Sequence, residues 1–391
     1  MIKFFVAGGI LILVAASAVF FLGLAPDSFI KKSNAPEDIV KDAPFLISEP
    51  PMPESPVAVV PPDKQIPQEK NVVKNTAAKK DPNCNGSTPD VFKCYRAYYS
   101  EMVENEGSEA AMADLKARYG NPFVRSQCHQ LAHIVGRAAA DIYSSVGDAY
   151  SHGDSFCWSG YYHGVMEKIV ADIGVGAVPL RMNFLCSDLP GKATYNFDYY
   201  NCVHGLGHGM MYITNNELFQ SLELCDNLSG SWEQSSCWSG AFMENIIADE
   251  VNHFAKYLKD DDPLYPCNAA GDKYKSTCYL MQTSRMLDVV GYDFANVFEL
   301  CGTVGDPYVD VCYQSLGRDA SGKSVSDVQK TRASCLLGKD YRQQSNCVVG
   351  AVKDFISYHH SDVQAQELCA SLPQELQQTC FSTAESYYKL F

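Results

Sequence analysis

The stretch NVFELCGTVGDPYVDVCYQSLGRDA, residues 296–320, decides the fold. An apolar run ends at Cys301, a Gly-Asp-Pro turn follows, and a second apolar run opens at Cys312, 11 positions on. The same phrase recurs around Cys186 and Cys202, Cys225 and Cys237, Cys267 and Cys278, Cys335 and Cys347, and Cys369 and Cys380. Four leading cysteines, Cys267, Cys301, Cys335 and Cys369, repeat every 34 residues. Self-similarity at that period predicts an all-α solenoid of helical hairpins, each unit burying its apolar face only against its neighbours.

The leading cysteines, as in QSLELCDNL and AQELCASLP, sit where the last turn of a first helix belongs, and the second cysteines fall one to two turns past the bend, on a second helix. Such cysteines face each other across an antiparallel pair, so each hairpin is expected to carry its own disulfide. Closing a loop of about 12 residues contributes roughly 2–3 kcal/mol by restricting the unfolded chain. Two further pairs, Cys128 with Cys157 and Cys84 with Cys94, complete the 16 cysteines. Six or more such staples predict a stiff rod or shallow superhelix. Three positions after the second cysteine stands a small residue, at Gly160, Gly205, Gly240, Ser315, Gly350 and Thr383. This column is read as the crossing point of the two helices within a hairpin, where backbones approach closely.

Over roughly residues 125–391 the layout resembles the Sel1-like and tetratricopeptide class of helical-hairpin repeats, on its period and its cysteine staples. The resemblance implies hairpin repeats and no particular partner or activity. The Trp/Leu-Gly/Tyr spacing of the tetratricopeptide consensus is absent.

Ahead of the repeats, residues 4–24 form an uncharged, mostly apolar run of membrane-spanning length after Lys3. Residues 1–25 are therefore expected to be an uncleaved signal-anchor helix. Residues 26–82 hold 11 of the 19 prolines and no cysteine, the composition of an extended tether. Residues 83–391 are the Cys-rich helical repeat domain. Because disulfides persist outside the cytosol, that domain is expected to be extracytoplasmic, at the cell surface or in the periplasm. Residues 1–82 carry nine Lys against nine Asp and Glu, so the whole net charge of −15 belongs to the repeats. Such an acidic body is repelled by phosphate backbones, which argues against nucleic acid as a partner.

Five of the nine histidines fall in three motifs: Cys128-His129-Gln-Leu-Ala-His133, Tyr162-His163-Gly164 and Cys202-Val-His204-Gly-Leu-Gly-His208. Two are His-x3-His, which puts both imidazoles on one helix face. His163 and His208 hold the same repeat position, six after the second cysteine. The five converge as candidate ligands for zinc, copper or iron, with Glu167 and Glu244 as carboxylate ligands or a general base. Packing of hydrogen-bonded imidazoles between helices accounts for the same residues without an ion. The column continues through Met243, Ser284, Arg318, Lys353 and Ser386, a polar series expected to line a groove for a protein or peptide. His-Glu-x2-His, Gly-x-Ser-x-Gly, Cys-x2-Cys and the phosphate-cradling Gly-x4-Gly-Lys are all missing. Two readings result: a membrane-tethered scaffold that binds a protein or peptide and carries a His-rich metal site, or a metal-dependent enzyme built on that site.

Overall fold

Side-chain caps start many of the helices. Asn121, Ser145, Asn196, Asp293, Asp327 and Asp340 each accept a hydrogen bond from a backbone N–H of the first turn that follows. The computed structural model describes residues 82, 84, 86–247, 255–324 and 327–389. Within them lie seventeen α-helices and no strand. In chain order they are α1 (Thr88–Glu106), α2 (Ser108–Ala117), α3 (Pro122–Ser126), α4 (Cys128–Ile142), α5 (Val146–Ser151), α6 (Gly160–Ile173), α7 (Val178–Arg181), α8 (Phe197–Ile213) and α9 (Leu218–Cys225). There follow α10 (Ser231–Ile246), α11 (Asp272–Val289), α12 (Phe294–Gly302), α13 (Val309–Lys323), α14 (Val328–Cys335), α15 (Tyr341–His359), α16 (Val363–Ser371) and α17 (Gln374–Tyr388). The expected anchor and nearly all of the linker lie outside the described residues. No helix among the described residues is long and apolar enough to cross a membrane.

All sixteen cysteines are joined in the pairs expected, with no free thiol. Cys84 bonds to Cys94, Cys128 to Cys157, Cys186 to Cys202 and Cys225 to Cys237. Cys267 bonds to Cys278, Cys301 to Cys312, Cys335 to Cys347 and Cys369 to Cys380. Eight disulfides suit an oxidising, extracytoplasmic environment. Cys225, Cys301, Cys335 and Cys369 each sit in a short helix (α9, α12, α14 and α16) of eight or nine residues, and a long helix carries the partner cysteine. Cys278 lies six residues past the start of α11, and Cys380 six past the start of α17. At 3.6 residues per turn each sits one to two turns inside its long helix, as the spacing requires.

Helices of eight or nine residues are marginal alone in water. Here burial of Leu222, Phe298 and Leu368, together with the staple, holds them. Three cysteines depart from the pattern. Cys186 and Cys267, expected to end a first helix, each sit in a run of turns, Cys186 just beyond α7 and the 3-10 helix Met182–Phe184 that continues it. Cys157 precedes α6 and lies outside any helix, with its backbone in the left-handed region at φ 59°.

The close crossings are not inside the hairpins. They lie between successive long helices, which corrects the expectation for the small-residue column. A Cβ on Gly240 would stand 1.9 Å from the carbonyl oxygen of His204, and one on Gly207 would stand 2.0 Å from that of Cys237, so α8 and α10 meet backbone to backbone. Gly317 and Gly350 do the same for α13 and α15, at 1.8 Å each, and Gly136 and Gly164 for α4 and α6, at 1.9 and 2.1 Å. Long helices therefore pack on long helices, α4 on α6, α6 on α8 and onward to α17, with the short helices packed against them.

Nor is the array a rod or a shallow superhelix. Trp158 lies against Gly322 of α13, its indole nitrogen 3.2 Å from where a Cβ would stand, and the rings of Phe197 and His360 are 4.8 Å apart. Early and late units thus touch across a central cavity. The closest contacts fall between the long helices, which pulls those helices together and gives the series its curl.

Candidate metal centre and the cavity above it

The helix crossings place the histidines. Gly164 admits the His133 carbonyl and Gly240 admits that of His204, so α4, α6, α8 and α10 bring their imidazoles and carboxylates into one cluster. His129 and His133 come from α4, His163 from α6, and His204 and His208 from α8, all buried. Ring centroids are 4.1 Å apart for His163 and His208, 4.9 Å for His163 and His204, and 5.3 Å for His129 and His163. Three sets of side chains bring candidate ligand atoms within 4.8 Å of one another: His129, His133 and His163; His163, His204 and His208; and His133, Glu167, His208 and Glu244.

Hydrogen bonds assign the ring protons. His129 Nδ1–H donates to the Cys157 carbonyl at 2.8 Å, and His133 Nδ1–H to Glu167 Oε1 at 2.7 Å. Both Nε2 atoms then carry lone pairs, yet they face each other at 2.9 Å. Two lone pairs at that distance repel unless a proton or a cation sits with them. Burial, followed by the neighbouring imidazoles His133 and His208, pushes the pKa of His129 well below its ordinary value. Burial also lowers His133, against the pull of Glu167. A shared proton is disfavoured on both counts, whereas two nitrogens on one tetrahedral ion at about 2.0–2.1 Å each stand roughly 3.3 Å apart, a spacing a small shift of either ring provides.

The second half repeats the first. His208 Nδ1–H donates to Glu244 Oε2 at 2.5 Å, and His204 Nδ1–H to Ser239 Oγ at 2.7 Å. The Ser239 hydroxyl donates its own proton to the Ser236 carbonyl, which leaves its oxygen to accept. Nε2 of His204 and Nε2 of His208 are 3.2 Å apart. His163 lies between the halves with its Nδ1 buried and unpartnered. Burial, then His208, His204 and the α4 imidazoles, holds it neutral. His204 is lowered for the same reasons, burial first.

Glu167 and Glu244 therefore stand behind the histidines, each receiving a ring N–H, the arrangement that fixes tautomer and raises ligand basicity in metal sites. Burial works to raise the Glu167 carboxyl, but His133 and the Arg137 guanidinium outweigh it and hold the group down at about 2. It is an anion at neutral pH. The sequence does not single out Arg137, Ser239 or the Cys157 carbonyl.

Above the cluster is a cavity of about 860 Å³ whose floor includes His129, His163 and His204. The column residues Met243, Ser284, Arg318 and Lys353 all line it, while Ser386 does not. Arg318 is committed to structure: it donates to the Leu280 and Met281 carbonyls and pairs with Asp319, which also accepts from Thr283 and Ser284. Trp158, Tyr200 and Trp232 supply aromatic walls that the sequence does not assign to a site.

Asp354 lies on this wall, accepting from Ser321 Oγ. Burial, reinforced by Asp319 and opposed by Ser321 and Arg318, pushes its carboxyl up to about 6. A folded-state pKa above the unfolded one means that the protonated form stabilises the fold at low pH. That contribution is lost as pH rises through about 6. Asp354→Asn keeps the acceptor for Ser321, and should raise the urea midpoint at pH 8 by the equivalent of about 1–3 kcal/mol. Urea titrations at pH 8 and pH 4 check it: the gain shrinks toward zero at the lower pH.

Comparison of this chain with known proteins finds no matching family model and no match among curated proteins or solved structures.

Proposed function

We propose that this chain is an exported, membrane-anchored metal-dependent enzyme that acts on a small organic molecule admitted to the cavity. The anchor of this reading is the apolar run at residues 4–24. One observation carries the metal: the Nε2 lone pairs of His129 and His133 face each other at 2.9 Å with both Nδ1 protons already donated elsewhere. His129 and His133 hold one ion, His204 and His208 a second, and His163 stands between them. Every cysteine is oxidised, so the donors are imidazole nitrogen and carboxylate oxygen, with the Met243 thioether 3.3 Å from His204 Nε2, a set suited to zinc, copper or non-haem iron. Bound there, such ions supply Lewis-acid chemistry to a substrate group. The protein's own part is to hold the ring tautomers through Glu167, Glu244, Ser239 and the Cys157 carbonyl.

The scaffold reading, a groove for a protein or peptide partner, has the polar column in its favour. Against it, the column lines a cavity of about 860 Å³, within the size range of small-molecule sites. Elemental analysis of the full-length chain made in an oxidising host tests the proposal. The expected content is about two transition ions per chain, falling near zero in the His133→Ala/His208→Ala double variant. A wild-type chain that stays metal-free after incubation with zinc, copper and ferrous iron sinks it.

A further inference from the structure

One tetrapeptide occurs twice in this chain with two different backbones. Cys237-Trp238-Ser239-Gly240 is helical, inside α10, and Trp238 is 6% exposed with its indole N–H donating to Asp226. Cys157-Trp158-Ser159-Gly160 instead takes positive φ at its first three residues, 59°, 53° and 59°, and Trp158 is 43% exposed. Left-handed backbone is unfavourable for any residue with a Cβ, and three in succession make a strained turn. An indole left that open to solvent is unfavourable in its own right. Because the residues are the same in both copies, local sequence does not impose the turn; its surroundings do. Two ties hold it: the bond from Cys157 to Cys128, and the His129 Nδ1–H donated to the Cys157 carbonyl. The turn that orients a candidate ligand thus also carries Trp158 into the cavity wall, with the indole edge against Gly322 of α13.

We propose that Trp158 is a stacking platform for the substrate, and that the substrate carries a flat aromatic ring. Such a ring laid on the open indole removes that surface from water and offsets the strain of the turn. The facing wall decides between an aromatic ring and a sugar, the other class that stacks on indole. A sugar needs side-chain partners for the hydroxyls around its rim. Arg318 and Asp319, one turn before Gly322 on α13, are bonded to each other, to the Leu280 and Met281 carbonyls and to Thr283 and Ser284. Asp354 on α15 accepts from Ser321. An aromatic ring asks for no such partners, and Tyr195 and Trp232, with ring centroids 4.5 Å apart, add apolar surface to the same cavity. This inference rests on the small-molecule reading above and names the substrate class, yet it stands on a side chain that holds no ion.

The test uses the full-length chain stripped of metal by chelation, titrated calorimetrically with 2-naphthol, with its saturated counterpart decahydro-2-naphthol, and with glucose. Saturable one-site binding of 2-naphthol is expected, about tenfold or more tighter than either of the others. Trp158→Asn puts a residue at ease with positive φ in the turn and removes the indole, so it should weaken 2-naphthol about tenfold or more. Trp158→Phe keeps a smaller ring and should fall between; it carries the comparison should the first variant fail to fold. Trp238→Phe, in the helical copy and outside the cavity wall, should leave the affinity unchanged. No 2-naphthol binding at millimolar concentration, equal binding of the three probes, or affinity untouched by both Trp158 variants overturns the platform. The failures are separable: a chain that binds 2-naphthol yet never takes up metal sinks the metal centre alone, and a metal-loaded chain that ignores 2-naphthol sinks the platform alone.

Discussion

Gly350→Ala is expected to destabilise the protein by about 3 kcal/mol or more. The added Cβ would stand 1.8 Å from the Gln314 carbonyl oxygen, 2.6 Å from its carbon and 2.9 Å from its Cα. Backbone cannot rotate aside as a side chain does, so α13 and α15 must separate. Yet Cys347 and Cys312, one on each helix, are already tied to α14 and α12. Separation would also withdraw Val348, Ala351 and Phe355 from a fully buried layer. Gly176→Ala is the control, since nothing lies within 4 Å of its Cβ, and its urea midpoint should move by the equivalent of about 0.5 kcal/mol or less. Equal midpoints for the two variants would show that the glycine crossings are not what sets the helix spacing.

That crossing also marks where the sequence stops being legible. Covalent structure could be read well, because the cysteine spacing is local: Cys301 and Cys312 are 11 residues apart, as are Cys369 and Cys380, and turn chemistry between them brings them together. Helical class followed from the same local pattern. Which helix meets which did not, because glycine at Gly240 says only that something comes close. It says nothing of whether the neighbour is the short α9, in the same hairpin, or the long α8 of the previous unit. The staples alone predicted a stiff rod, whereas contacts between early and late units close the array around the cavity. Trp158 and Gly322 meet across 164 positions, a contact no periodicity encodes.

The histidines fared better for a physical reason. His-x3-His fixes two rings on one face whatever the helix packs against, so each pair was legible alone. Their convergence depended on α4, α6 and α8 being consecutive neighbours, which the repeat order supplied. The carboxylates were named, but their place was not: Glu167 and Glu244 lie behind His133 and His208, taking ring protons, and Arg137 was invisible because it acts only through Glu167. Trp158 left no mark in the sequence, since its Cys-Trp-Ser-Gly reads the same as the copy around Trp238 until its surroundings are known.

Removing the two charges behind the rings is the second large expected effect. Glu167→Gln and Glu244→Gln keep a carbonyl oxygen to accept His133 Nδ1–H and His208 Nδ1–H, so ring orientation survives while ligand basicity falls. Loss of such partners typically costs about 10–100-fold in metal affinity for each site, hence on the order of 10²–10⁴ for both together if the halves act independently. Competition of the double variant against a chelator of known affinity measures it. Glu217→Gln, which removes an exposed carboxylate paired with Lys256 and Tyr257, is the matched control and should leave affinity unchanged. The Glu167 half is expected to lose more than the Glu244 half, because the Arg137 guanidinium that holds Glu167 anionic is then left facing a neutral amide beside the ion. Its uncompensated positive charge repels the cation directly. Adding Arg137→Met to Glu167→Gln should therefore recover part of the affinity, and a further drop instead would mean that Arg137 organises the site by contact and not by charge.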